Sequence, residues 1–300
     1  MLNSFRKWWQ RAPAAQTQPL RRVQAAARGS AQLPAPIAFG QLRLGAAQSS
    51  GLQRTSNEDA LFANVEILGT AGSPAQTGLF VVADGVGGHR HGAQASALAV
   101  QTVAQAVVPA LLAAQAGGGG VQSFDFHASL SAALGAANMA VFAAYPGSGT
   151  TVIAALVTGG RLHLAHVGDS RAMLVEAHGM RALTEDHTLV RRLQTAGHIT
   201  AEQAAVHPQR STLLRAVGQG EGLQVDSSLH VFEPGGRLLW GGDASRDWSR
   251  DLAGQMDRMD AEREGGRKGA RFARGETGPR TKHPRTGSRA LAAVIQAGRV

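Results

Sequence analysis

The run Leu79-Phe-Val-Val-Ala-Asp-Gly-Val-Gly-Gly-His89 constrains this chain more than any other stretch. A short apolar run, dense in valine and bounded by glycine, reads as a buried core strand. It delivers the Asp84 carboxylate directly into a turn with glycines at 85, 87, 88 and 92. There the backbone can bend sharply and bring carbonyl oxygens close to whatever Asp84 holds. A carboxylate at the end of a core strand, beside exposed backbone oxygen, suits a hard divalent cation. Asp-Gly is also a common turn pair, so the assignment rests on what else the chain brings to it.

Periodicity and turn residues give the surrounding order. Strands are expected at 39–44, 60–68 and 79–83, then a long Ala/Val/Leu helix at 93–116 that four glycines end. A second helix at 124–145 stops at Pro146-Gly147. Three strands follow at 150–157, 161–166 and 171–176, then a polar helical stretch at 185–206, and last two strands at 229–232 and 237–240. Strands, a helix pair and strands again predict an α+β domain with helices packed on antiparallel sheets. Three domains of the chain are read: a basic extension at 1–38, a folded body at 39–245, and an Arg/Gly-rich tail at 246–300. Within that tail the apolar run 291–295 reads as too near the terminus to complete a sheet.

Composition narrows the chemistry. There is no cysteine, which excludes disulfides, thiolate metal sites and cysteine nucleophiles and fits a reducing cytoplasm. No apolar stretch is read as approaching the roughly 20 residues of a membrane helix. Arg6, Lys7 and Arg11 are followed by no apolar core, which argues against a secretory signal. The net charge of +9 is unevenly spread. Residues 1–45 carry seven basic and no acidic side chains, and residues 246–300 carry thirteen basic against seven acidic. Residues 46–245 hold the remaining ten basic and fourteen acidic side chains, so the body is mildly acidic. The basic ends read as solvated tails, although Trp8-Trp9 beside the first basic residues would also suit a membrane surface.

Four acidic clusters sit at strand ends. Arg54-Thr-Ser-Asn57-Glu58-Asp59 precedes a strand, and Asp84-Gly85 ends one. Ala165-His-Val-Gly-Asp169-Ser-Arg171 turns between two strands, and Leu238-Leu-Trp-Gly-Gly-Asp243 runs out of one. Carboxylates without histidine or cysteine partners select Mg²⁺ or Mn²⁺ over zinc. An arginine upstream of paired acids can grip an oxyanion in bidentate fashion.

These motifs, with Gly149-Thr150-Thr151 between them, resemble the metal-dependent protein serine/threonine phosphatases of type 2C in their bacterial form. The stretch from Leu183-Thr-Glu-Asp186-His187 through Ala196-Gly-His-Ile-Thr200 and His207-Pro208 to Arg215-Ala-Val-Gly218 is similar to the family's flap and the strand after it. The resemblance implies a four-layer αββα fold, an antiparallel β-sandwich flanked by helices, with two or more Mg²⁺ or Mn²⁺ ions in a cleft at one end. It assigns Glu58, Asp59, Asp84, the Gly85 carbonyl, Asp169 and Asp243 to the metals, and Arg54 to the substrate phosphate. The implied reaction is direct hydrolysis of phosphoserine or phosphothreonine by a metal-activated water, with no phosphoenzyme. The partners implied are phosphorylated proteins, among them a cognate kinase or its substrates.

The chain departs from that family after Trp240. The family's late Asp-Gly pair reads Gly242-Asp243-Ala244 here, and no Asp-Asn pair follows it. The late elements of the sandwich are therefore expected to be missing, with one metal-binding carboxylate. A catalytically impaired protein that binds phosphoproteins without turnover is the alternative function. Nucleic-acid binding through the basic tail has the least support, because the tail lacks aromatic interleaving. His163 and His166 have metal-like spacing but fall on opposite faces of a strand. His89-Arg90-His91 suits a solvated loop or a proton donor. Residues 147–151 lack the lysine of a phosphate loop, and no nucleophile elbow is present.

Overall fold

Strand β3 (Ser73–Asp84) lies between two apolar layers, which explains its unbroken apolar run. Leu79, Val81 and Ala83 enter a core beneath the helices, while Phe80 and Val82 enter a core between two sheets. A strand covered on both faces has no solvent side on which to place polar residues.

The protein is described from a computed structural model. It covers residues 42–49, 57–70, 73–86, 91–116, 124–176, 179–241 and 290–297. The chain divides into two compact units, Met1–Ala35 and Pro36–Val300, and every described residue belongs to the second. In order these are β1 (Leu42–Ser49), β2 (Asp59–Thr70), β3, α1 (Gly92–Ala116) and α2 (Phe126–Ala144). Then come β4 (Val152–Thr158), β5 (Arg161–Val167), β6 (Arg171–Glu176) and β7 (Gly179–Ala182). Last are α3 (Leu189–Thr195), α4 (Ala201–Ala205), β8 (Asp226–Val231), β9 (Arg237–Gly241) and β10 (Ala290–Ala297). One sheet has the order β2-β3-β4-β5-β8 and the other β1-β10-β9-β6-β7, and every strand pair is antiparallel.

Helices α1 and α2 cover the first sheet. On α1 the buried positions Ala95, Ala99, Val103, Val107 and Leu111 recur at four-residue spacing, giving one apolar stripe. Asp125 caps α2, its carboxylate accepting from the Ala128 N–H at 2.9 Å. By length and composition both helices are apolar enough to cross a membrane, contrary to the expectation that no stretch approaches that length. Here their buried stripes join the strand side chains of β3 and β4 in one core. Between the sheets Phe80 meets Trp240 edge to face at 5.8 Å. Among the described residues long helices cover one outer face only, so three layers of the expected four are seen.

Two strands escaped the sequence reading. β7 is four residues long and mostly exposed. β10 matters more, because the run expected to lie too near the terminus closes the second sheet. It pairs with β9 through Ala292↔Gly241 and Ile295↔Leu238, and with β1 through Ala297↔Leu42. The expectation that the late elements of the sandwich are missing is corrected for this strand. Residues 290–297 therefore belong to the sandwich, while residues 242–289 lie outside the described residues.

Candidate active site at the end of the sandwich

Asp59 and Asp84 stand directly opposite each other in the β2–β3 ladder. Asp59 shares the face of Leu61, and Asp84 that of Val82, so both carboxylates lie on the inter-sheet side. Both Asp59 carboxylate oxygens are buried, and Asp84 is half-buried. Like charges opposed across two strands destabilise a sheet. A shared cation reverses the sign, and carboxylate and carbonyl oxygens suit Mg²⁺ or Mn²⁺. The donor set therefore fits such a metal.

The turn beyond is held tightly. Gly85 donates to the Glu58 carbonyl at 3.0 Å, and Val86 to the Gly149 carbonyl at 2.9 Å. A Cβ at Gly85 would lie 2.4 Å from the Gly92 carbonyl oxygen, so the backbones approach here as only glycine allows. The Glu58 carboxylate lies against Gly92, next to this turn: a Cβ on Gly92 would lie 3.1 Å from its carboxyl carbon. That places a negative charge at the N-terminus of α1, whose own first turn contains no acid. Among the described residues no three His, Asp or Glu side chains gather in a metal-binding group, so Glu58, Asp59 and Asp84 form no such triad.

Asp84 is anchored from the next strand. Its N–H donates to Thr151 Oγ1 at 3.1 Å, and its carbonyl accepts from the Thr151 N–H and Thr150 Oγ1, each at 2.9 Å. Thr151 Oγ1 also meets Ser170 Oγ at 2.6 Å, and all three hydroxyl-bearing residues are buried. The Gly149-Thr150-Thr151 motif thus supports Asp84 rather than cradling a phosphate. It links Asp84 to the β5–β6 turn that carries Asp169, which is 8% exposed.

That turn is latched to the segment 183–217, which holds α3 and α4. Arg171 makes a bidentate pair with Asp186, both N···O distances being 2.7 Å. His187 accepts from the Gly168 N–H at Nδ1, 3.0 Å, so its proton sits on Nε2 and is given to Asp226 Oδ2 at 3.1 Å. Arg215 pairs with Asp226 at 2.6 Å. Burial holds the His187 pKa below its ordinary value, with the Arg215 charge adding to the effect against Asp226. Burial alone would raise Asp226, but the bonds from Arg215 and His187 outweigh it and hold its carboxyl low. The returning chain is tied in by Val217, bridged to Thr150, and by Asn138, which bonds Gly218 and Gly220.

Of the residues named from sequence, the structure brings Asp59, Asp84 and Gly85 together and sets Asp169 one hydroxyl pair away. Arg54 and Asp243 lie outside the described residues, although Gly241, at the end of β9, pairs with Arg171 beside the Asp169 turn. His163 and His166 do face opposite sides: His163 stacks on Phe126 at 4.2 Å, and His166 meets His187 at 4.6 Å. Burial lowers their pKa values to about 4 and about 3. Thr151 and Ser170 stand in motifs read from the sequence, but their bonds to Asp84 and to each other, and the part played by Asn138, are not legible there, because a single hydroxyl or amide carries no periodic signal.

The sequence profile of the family described as Protein phosphatase 2C matches residues 44–194. The serine/threonine protein phosphatase PstP of Mycobacterium tuberculosis is 36% identical over 214 residues, 69% of this chain and 37% of PstP. The protein phosphatase PhpP of Streptococcus pneumoniae is 31% identical over 193 residues, 64% of this chain and 74% of PhpP. Among solved structures, the PstP catalytic domain in complex with two manganese ions superposes with a TM-score of 0.58 at 25% identity, covering 86% of this chain and 99% of that one. The alignment thus spans little more than a third of PstP's length. The profile covers half of the chain and the match to PhpP spans 74% of that protein, so the chain belongs to the protein phosphatase 2C family.

Proposed function

We propose that this chain is a Mg²⁺- or Mn²⁺-dependent protein serine/threonine phosphatase that hydrolyses phosphoserine and phosphothreonine. The observation that carries the reading is the buried cross-strand pair Asp59–Asp84 beside the Gly85 turn. The two-manganese complex of PstP supports it by analogy. When bound, the metal pair supplies an acidified water and charge neutralisation at the phosphoryl oxygens. The chain's own part is positional. Asp59 and Asp84 hold the ions with the Gly85 carbonyl, and Asp169 and Asp243 extend the oxygen donor set. Glu58, assigned to the metals from sequence, also stands at the start of α1, and its carbonyl accepts from the Gly85 N–H. Arg54 orients the substrate phosphate. The Thr150-Thr151-Ser170 bonds stop the Asp84 backbone from shifting during turnover. Phosphorylated proteins, including those of a cognate kinase, are the substrates on this reading, and the cytoplasm is the compartment.

A second reading, a phosphoprotein-binding pseudophosphatase, draws on one sequence fact. No Asp or Glu follows Glu276, so β10 enters the sheet without a nearby preceding carboxylate. Hydrolysis of para-nitrophenyl phosphate and a phosphothreonine peptide, titrated with Mn²⁺ and then with chelator, separates the two. Metal-dependent turnover abolished by chelator supports the enzyme. A folded protein that binds the phosphopeptide without turnover supports the alternative.

A further inference from the structure

Beside the Arg171–Asp186 pair, the segment 183–217 is seated on the Asp169 turn through one buried residue, His187. His187 and Gly168 exchange two bonds: the His187 N–H donates to the Gly168 carbonyl at 2.8 Å, and the Gly168 N–H donates to His187 Nδ1 at 3.0 Å. The His187 carbonyl accepts the Leu214 N–H at 2.8 Å, so the same residue also holds the outgoing end of the segment. Its Nε2 proton goes to Asp226, which Arg215 grips from that outgoing end. Entry chain, exit chain and turn therefore meet at one residue that is 4% exposed, its backbone holding the Gly168 carbonyl and Leu214 and its ring holding the Gly168 N–H and Asp226.

Gly168 leaves little slack in this arrangement. Its φ is +114°, and a Cβ there would lie 2.5 Å from two Thr151 side-chain atoms. The turn cannot drift without moving Thr151, which holds the Asp84 N–H. We propose that His187 is a positioning residue that locks the 183–217 segment to the Asp169 turn, so that seating of the segment sets the geometry of the metal-binding end; this rests on the phosphatase reading above.

The two ring nitrogens allow the lock to be dissected. In His187→Asn the amide oxygen falls where Nδ1 sits and can still accept from Gly168. In His187→Gln the amide nitrogen reaches toward Asp226 but leaves the buried Gly168 N–H without its acceptor. Two readouts apply to the full chain: the Mn²⁺ concentration giving half-maximal hydrolysis of para-nitrophenyl phosphate, and the rate of tryptic cleavage after Arg191 and Arg192 in metal-free protein. The Gln variant should need on the order of tenfold more Mn²⁺, while the Asn variant stays near wild type. Cleavage should accelerate in the Gln variant and not in the Asn variant. Equal shifts in both variants, or no shift in either, overturn the proposal. A wild type without metal-dependent turnover sinks the phosphatase reading instead, and the proteolysis arm still decides the lock.

Discussion

Replacing Gly168 with alanine tests whether the turn geometry is as constrained as the structure requires. The backbone there has a φ of +114°, and the added Cβ would meet Thr151 Cβ and Cγ2 at 2.5 Å and Cα at 3.0 Å. Thr151 cannot swing aside cheaply, because its Oγ1 serves Asp84 and Ser170 and its N–H serves the Asp84 carbonyl. Backbone strain of about 1–3 kcal/mol therefore adds to overpacking of about 1–3 kcal/mol. Gly179 separates the two contributions, since its φ is +133° and a Cβ there meets nothing within 4 Å. Gly179→Ala should show the strain alone. The packing difference, about 2 kcal/mol, corresponds to roughly 4–8 °C in Tm for a domain of this size. Scanning calorimetry of both variants in metal-free buffer measures it. If Gly168→Ala melts within about 1 °C of Gly179→Ala, the contact with Thr151 is not constraining and the argument fails.

Asp84→Asn should abolish Mn²⁺-dependent turnover while leaving the metal-free Tm unchanged or raised, because it removes one of two opposed charges; a drop in Tm with activity retained would contradict both halves. Thr151→Val keeps the shape but strips the hydroxyl from the Asp84 N–H, so denaturant unfolding should show a loss of about 1–3 kcal/mol. Burial holds His163, His166 and His187 below their ordinary pKa of 6.5 in the fold, so they stay neutral where the unfolded chain takes up protons. Their contribution to stability is complete above 6.5 and falls with pH toward about 4 for His163 and about 3 for His166. The urea midpoint of metal-free protein should accordingly be lower at about pH 5 than at about pH 7.5; a midpoint that holds or rises would show these histidines charging in the fold.

Much of this architecture is legible in the sequence where one local signal dominates. The run 79–83 is apolar on both faces because helices and a second sheet both cover it, and runs of that kind announce a core strand. The glycines after the first helix and Pro146-Gly147 after the second mark their ends equally well. β10 is not legible in this way, since its register comes from β1 and β9, which lie far away in sequence. The site divides similarly. Asp59 and Asp84 are found as acids at strand ends, but their direct opposition is a property of the ladder. Glu58 and Asp59 look equivalent in a string of letters, yet Asp59 opens β2 opposite Asp84 while the Glu58 carboxylate lies against Gly92 at the start of α1. His187 carries a resemblance to the family but no hint of its two partners, which are 19 and 39 residues away.

The most direct test of the account is a calorimetric titration of metal-free protein with Mn²⁺, run beside phosphothreonine-peptide turnover for wild type and Asp84→Asn. The account predicts saturable binding by the wild type, turnover that rises with occupancy, and loss of both in the variant. An unchanged isotherm in Asp84→Asn, or wild-type turnover that ignores Mn²⁺ and chelator, would contradict the placement of a metal at the Asp59–Asp84 pair.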